Sequence, residues 1–150
     1  MEKIKMVATC IFGIEGIAAD ELRRMGCENV AAENGRVLFE GDENILARAN
    51  INSRFSERIL INMGEFTATD FTSLFDGVKA LPWENYIGKE DAFPVTGYSI
   101  NSALHSIPDC QSIIKKAVVE RLKLKYGISW FNETGPENKI KFSILKDKVT

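Results

Sequence analysis

The sequence predicts an α+β chain made of two successive units, and three observations carry that prediction. Short apolar runs that suit strands alternate with stretches whose apolar residues recur at three and four, which suit helices. The first 62 residues show the order strand, helix, strand, strand, helix, strand. From Met63 onward a different order begins, in which a long helix lies between two strands. With 150 residues and an apolar share of 45%, the chain can bury a core in each unit.

Taken in order, Met6 to Cys10 is an apolar run stopped by Phe12-Gly13, as a buried strand requires. Ile14, Ile17, Ala18, Leu22 and Met25 follow at helical spacing, and Gly26 stands where the helix should end. Asn34-Gly35 separates two alternating runs, Val30 and Ala32 against Val37 and Phe39. Asn-Gly suits a hairpin turn whose two central residues both take positive φ. Asp42 can cap a second helix carrying Ile45, Leu46, Ala49 and Asn50, and Arg58 to Met63 supplies a fourth strand. This order is the split βαβ, ferredoxin-like arrangement.

In the second unit, Thr69 or Asp70 caps a helix whose apolar side is Phe71, Leu74, Phe75, Val78 and Leu81, ended by Pro82. Trp83 to Asp91 reads as loop and Phe93 to Ile100 as a strand, with Pro94 near its start. Asn101 to Asp109 forms a polar turn, and Gln111 to Tyr126 a long helix ended by Gly127. Lys139 to Leu145 alternates as a strand and Lys146 to Lys148 as a turn. Val149-Thr150 opens a strand that is not completed. A sheet left without its partner suggests the front part of a longer protein.

Composition narrows the function classes. Nineteen basic against 21 acidic residues give a net charge of −2, which argues against a basic nucleic-acid surface along the whole chain. Cys10, Cys27 and Cys110 form no C-x-x-C, so the chain reads as a reduced, cytoplasmic protein without a disulfide scaffold or a cysteine zinc site. A single histidine, His105, supplies neither a metal site nor a catalytic triad. No apolar run is long enough to span a bilayer, and no membrane partner is expected. No glycine loop for a dinucleotide or a methyl donor is present. The nearest approach, Phe12-Gly13-Ile14-Glu15-Gly16, reads as a tight strand-to-helix turn. The carboxylate pairs Asp20-Glu21 and Glu90-Asp91 read as solvated groups. No catalytic constellation, cofactor site or metal site is assembled.

The informative segment is Asn101 to Tyr126. On a helical wheel Ile113, Ile114, Ala117, Val118, Leu122 and Leu124 share one half. Lys115, Lys116 and Lys123 fall together on the other, while Arg121 lies nearer the apolar side and must snorkel or pair. Five bases and one acid between Lys115 and Lys125 follow six acids and two bases between Glu65 and Asp91. The near-neutral total therefore averages two opposite stretches. Lysines supply charge to phosphates, and Ser102, Ser106, Gln111 and Ser112 can hydrogen-bond phosphate or 2′-hydroxyl oxygens. Trp83, Phe93 and Trp130 can stack on bases, although aromatics in a chain of this size are more often core.

Several blocks resemble the bacterial THUMP-domain RNA methyltransferases, the group that includes the large-subunit ribosomal RNA guanine-N2 methyltransferases. They are Ala8 to Gly16, Glu33-Asn34-Gly35-Arg36-Val37, Leu81-Pro82-Trp83-Glu84, Ser106-Ile107-Pro108-Asp109-Cys110-Gln111 with Lys115-Lys116-Ala117, and Ser143 to Lys148. The resemblance covers essentially the whole chain. It implies a ferredoxin-like domain over residues 1–62 and an α/β THUMP domain over 63–150, whose profile reaches back to about residue 44. It also implies that both present structured RNA to a C-terminal methyltransferase domain of the same chain. That domain would bind S-adenosylmethionine and carry an Asn-Pro-Pro-Tyr-type motif, neither of which is present in this segment. The segment would then bind RNA without methylating it alone. Carried over by position, the RNA-facing residues are Ser102, Ser106, Gln111, Lys115 and Lys116, with Lys123 added from the wheel. Relatives often place basic residues where this chain has Asn101 and Ala103, which lowers the charge expected of the loop. The alternatives are the front of an adenine-DNA methylase and a ferredoxin-like regulatory domain that binds a metabolite or a protein.

Overall fold

The computed structural model describes residues 2–150, and the chain divides into two compact units between Asn62 and Met63. The first holds β1 (Ile4–Thr9), α1 (Glu15–Arg24), β2 (Glu28–Glu33), β3 (Arg36–Gly41), α2 (Glu43–Asn52) and β4 (Arg58–Ile61). The strands form an antiparallel sheet in the order β2-β3-β1-β4. Met6 and Ala8 of β1, with Val37 and Phe39 of β3, bury one sheet face against Ala18, Ala19 and Leu22 of α1 and Ala49 of α2. Alanines on the helices let both backbones approach the sheet closely. Asp42 caps α2 by accepting the Ile45 N–H at 2.9 Å, as its side-chain type dictates.

The ferredoxin-like order is as expected, with three local differences. β4 ends at Ile61, short of Met63. Ile17 faces solvent, and α1 buries Ala18, Ala19 and Leu22 instead. Only Gly35 of the Asn34-Gly35 turn takes positive φ, at 75°. One left-handed residue thus closes the hairpin between Glu33 and Arg36, where two were expected. Gly35 is needed for its positive φ, since a Cβ there would meet the Phe12 ring only at an ordinary contact distance of 3.5 Å.

The second unit holds β5 (Phe66–Thr67), α3 (Phe71–Lys79), a 3-10 turn (Trp83–Asn85), β6 (Val95–Ile100), α4 (Ile107–Tyr126), β7 (Ile140–Leu145) and β8 (Lys148–Val149). The sheet order is β5-β8-β7-β6, with β6 and β7 parallel and the other pairs antiparallel. The long helix α4 is the crossover that a parallel pair requires. Leu74 and Val78 of α3, with Ile114, Val118 and Leu122 of α4, cover Phe142 and Ile144 of the sheet, and Phe93 is fully buried beside them. Asp70, not Thr69, caps α3, in a reciprocal capping box with Ser73. The Trp83 indole N–H donates to the Val78 carbonyl at 2.7 Å and folds the 3-10 turn back on α3.

Three expectations change here, and β5 is an element the sequence pattern does not predict. α4 begins at Ile107, four residues before Gln111, because Pro108 in the first turn has no N–H to leave unpaired. β5 is two residues long, too short to show any period. Val149 does not lack partners, since it pairs with Phe66 on one side and Ile144 on the other. The turn before it is Lys146-Asp147, both at positive φ.

Leu124, expected on the apolar half of α4, is 75% exposed. Leu124→Lys is therefore expected to change stability by less than about 0.5 kcal/mol in urea unfolding. A larger loss would contradict the helix phase.

Candidate nucleic-acid interface

The loop from Asn101 to Ser106 leaves the carboxyl end of β6 and enters α4. Asn101 takes a left-handed φ of 49°, and the loop is held by the neighbouring hairpin. Asp147 accepts the Ala103 N–H at 2.8 Å, donates its own N–H to the Ser102 hydroxyl at 3.0 Å, and accepts the Ala68 N–H on its carbonyl. The Ser102 hydroxyl donates in turn to the Ile100 carbonyl. Ser102 therefore builds the turn. Ser106 is the N-cap of α4 and makes no side-chain capping bond, so its half-buried hydroxyl is uncommitted. His105 is exposed, with Nδ1 against the Ala103 carbonyl.

Along α4 the three predicted lysines separate. Lys115 points toward Phe93, with Nζ donating to the Phe93 carbonyl at 2.9 Å and lying 3.7 Å from the ring centroid. Its third partner is the Glu133 carboxylate, which also accepts the Phe93 N–H. Burial pushes the Glu133 carboxyl up, but the Lys115 ammonium and the Phe93 N–H outweigh it and hold the group below the usual carboxylate range. Lys123 pairs with Glu120 one turn back, at 3.1 Å. Lys116 is exposed, and among the described residues it has no ion pair. Arg121 pairs, as its wheel position required, through two bonds to Glu84 at 3.0 and 2.7 Å. That contact ties Leu81-Pro82-Trp83-Glu84 to α4 and holds the Glu84 carboxyl below its ordinary value.

Gln111 lies one turn before Lys115, and both line a shallow groove of about 300 Å3 with Ser112, Pro94 and Val95. Ser112 leads by one turn to Lys116 on the outer face. Along the amino-terminal half of α4, Gln111 and Ser112 line the groove, Ser112 and Lys116 lie one turn apart on the exposed side, and Ser106 stands at the N-cap, while Ser102 and Lys115 have internal partners. The supports, Asp147 and Glu133, carry no local sequence signal, because each meets its partners across at least 18 residues. Of the stacking candidates, Trp83 and Phe93 are buried and Trp130 is exposed.

The other anion-binding candidate is filled from within. Glu15 accepts the Gly13 and Gly35 N–H groups, each at 2.9 Å, so its own carboxylate occupies the turn. The Gly13 and Gly35 N–H groups are therefore not open to an anionic ligand. The carboxylate pairs are structural in part. Asp20 pairs with Arg23 at the surface, but Glu21 is buried and hydrogen-bonded, not solvated as expected. Asp91 accepts from Gly88 and Asn138. Among the described residues no group of side chains could hold a metal ion, and no helix is long and apolar enough to cross a membrane.

Comparison with known proteins gives two family-model matches. The family model for the RlmL ferredoxin-like domain matches residues 5–60, and that for the THUMP domain matches 68–150. The chain is 44% identical to the protein named "Putative RNA methyltransferase YpsC" of Bacillus subtilis, over 99% of its own length and 39% of the relative's. It is 33% identical to the ribosomal RNA large subunit methyltransferase K/L of Aeromonas salmonicida, over 76% of itself and 16% of that protein. The chain thus spans about two fifths of the first relative and less of the second. Two solved structures superpose along 99% of it. One is described as a "predicted N6-adenine-specific DNA methylase" from Listeria monocytogenes, with 47% identity and a TM-score of 0.94 over 39% of that chain. The other is described as "SMU.472, a putative methyltransferase complexed with SAH", with 42% identity and a TM-score of 0.92 over 40% of that chain.

Proposed function

The chain belongs to the THUMP-domain family, with an RlmL-type ferredoxin-like unit in front, and on that premise we propose that it is the RNA-binding, substrate-presenting module of a methyltransferase. In this proposal residues 1–62 and 63–150 act as the ferredoxin-like and THUMP domains. The remaining part of the parent chain carries the S-adenosylmethionine-dependent chemistry on structured RNA, ribosomal RNA first among candidates. The cytoplasm is where such RNA meets a protein whose three cysteines are free and buried.

One observation carries the reading: Ser112 and Lys116 lie one turn apart on the exposed side of the amino-terminal half of α4, with Ser106 at its N-cap and Gln111 in the adjoining groove, and among the described residues Lys116 has no ion pair. Hydroxyls, an amide and one ammonium suit phosphate and 2′-hydroxyl oxygens, which position RNA without reading its sequence. Lys123 extends the same face after releasing Glu120. Ser102 and Lys115 support it from behind, holding the loop and the helix rather than meeting RNA first.

Binding of a labelled RNA hairpin with an unpaired end, measured by anisotropy across a salt series, tests this. Lys116→Ala should weaken binding and lower the log–log salt slope by about one, as loss of a single phosphate contact does. DNA of the same sequence should compete poorly at fixed salt. Equal competition by DNA would favour the adenine-DNA methylase alternative, and no RNA binding would refute the proposal.

A further inference from the structure

Trp130 stands in the connection between α4 and β7, and 78% of its surface is exposed. Its exposure does not come from a loose loop. Ile128 packs on the core two residues before it. Phe131, the next residue, is buried edge-on against Phe93 with ring centroids 6.0 Å apart. Glu133 is tied to Lys115 and the Phe93 N–H, at a left-handed φ of 51°. Gly135 then donates to the Glu90 carbonyl at 2.7 Å, and Ala92 donates to the Pro136 carbonyl at 3.0 Å. The segment is pinned before and after the indole, which is nevertheless turned to water.

A large flat ring held on a fixed backbone loses little conformational entropy when a second flat group stacks on it. Ser129, Asn132 and Thr134, the exposed neighbours along the loop, are all small and polar. A protein-docking surface needs a contiguous apolar centre, whereas an exposed aromatic whose exposed chain neighbours carry hydroxyls and an amide suits a nucleotide, whose base stacks while its sugar and phosphate hydrogen-bond. Lys115 joins this loop to the groove: it binds Glu133, three residues from Trp130, and lines the groove beside Gln111. Three residues of chain keep the Trp130 backbone within about 11 Å of the Glu133 backbone. We propose that Trp130 is a stacking platform for an unpaired RNA base adjoining the α4 surface. This rests on the RNA-binding reading above.

The test compares a single-stranded oligoribonucleotide with a fully paired RNA duplex on the intact 150-residue chain. The single strand should quench tryptophan emission, and Trp130→Ala should abolish that quenching because Trp83 is buried. Trp130→Ala should weaken single-strand binding about 5- to 150-fold, the range for one lost base stack. Trp130→Phe should retain most of the affinity, and the salt slope should not move, since no phosphate contact is removed. Duplex binding should change little. Leu124→Ala, at another exposed apolar side chain of this unit, should be silent. If the wild type binds RNA and Trp130→Ala binds equally well, the stacking role is overturned while the RNA-binding reading stands. Equal weakening by Leu124→Ala and Trp130→Ala would also overturn it, in favour of an apolar docking patch. Absence of RNA binding by the wild type would overturn both.

Discussion

Replacing Glu21 by Ala is expected to lower the unfolding free energy by about 3 kcal/mol. Glu21 sits on α1 yet exposes only 7% of its surface, and its partners come from the segment between α2 and β4. Its carboxylate accepts the Ser53 hydroxyl at 2.9 Å, the Arg54 N–H at 3.0 Å and the Arg54 side-chain N–H at 3.3 Å. Truncation leaves these donors facing a void. Removing a buried charged acceptor is costly where the orphaned donors are themselves part-buried, as the Ser53 hydroxyl and the Arg54 backbone N–H are, whereas the Arg54 side chain is 75% exposed and regains water. Burial pushes the Glu21 carboxyl up, but the Ser53, Arg54 and Phe55 donors together outweigh it and hold the group below its ordinary value. A carboxyl lowered in the folded state contributes stability above its unfolded value, about 4.3, and loses it as pH falls through the folded value. The gap between wild type and Glu21→Ala should therefore be full at pH 7 and narrow on acidification. Urea midpoints followed by circular dichroism measure it, and a gap that does not depend on pH would contradict the assignment.

Glu21 also marks the boundary of what was legible in the sequence. Elements set by neighbours in sequence could be read: the ferredoxin-like strand order, the Asp42 cap, the Asn34-Gly35 hairpin and the amphipathic body of α4. Each depends on spacing or on side chains within a few residues. Features that depend on a distant partner could not be read. Glu21 looked solvated because its pattern on α1 is polar, and its burial is decided by Ser53 and Arg54, more than 30 residues on. β5 has two residues and exists only because β8 pairs with it. Asp147 looked like an ordinary turn residue, but it holds the Ser102-Ala103 loop from 44 residues away. For the candidate site, the segment and its residue types were legible, and the division of labour within it was not.

Lys115 and Lys116 make that division measurable, because they are adjacent in sequence and on one basic stretch yet should fail in different ways. Lys115→Glu is expected to destabilise the second unit by about 3 kcal/mol. It removes the cation over the Phe93 ring and the donor to the Phe93 carbonyl, and it sets a second carboxylate against Glu133. About a third of each partner of the Lys115–Glu133 pair is exposed, so solvent screening trims the repulsion and keeps the loss from growing larger. Lys116→Glu touches no internal partner and should leave stability within about 0.5 kcal/mol of wild type. Both tryptophans lie in the second unit, so emission followed through a urea titration reports on it directly. Loss of RNA binding in Lys115→Glu is then expected to track unfolding and to recover under conditions that refold the unit. In Lys116→Glu it should persist in the folded protein. If Lys115→Glu instead keeps its urea midpoint and loses RNA binding as a folded protein, Lys115 meets phosphate directly, and its contacts with Phe93 and Glu133 are ones the RNA displaces.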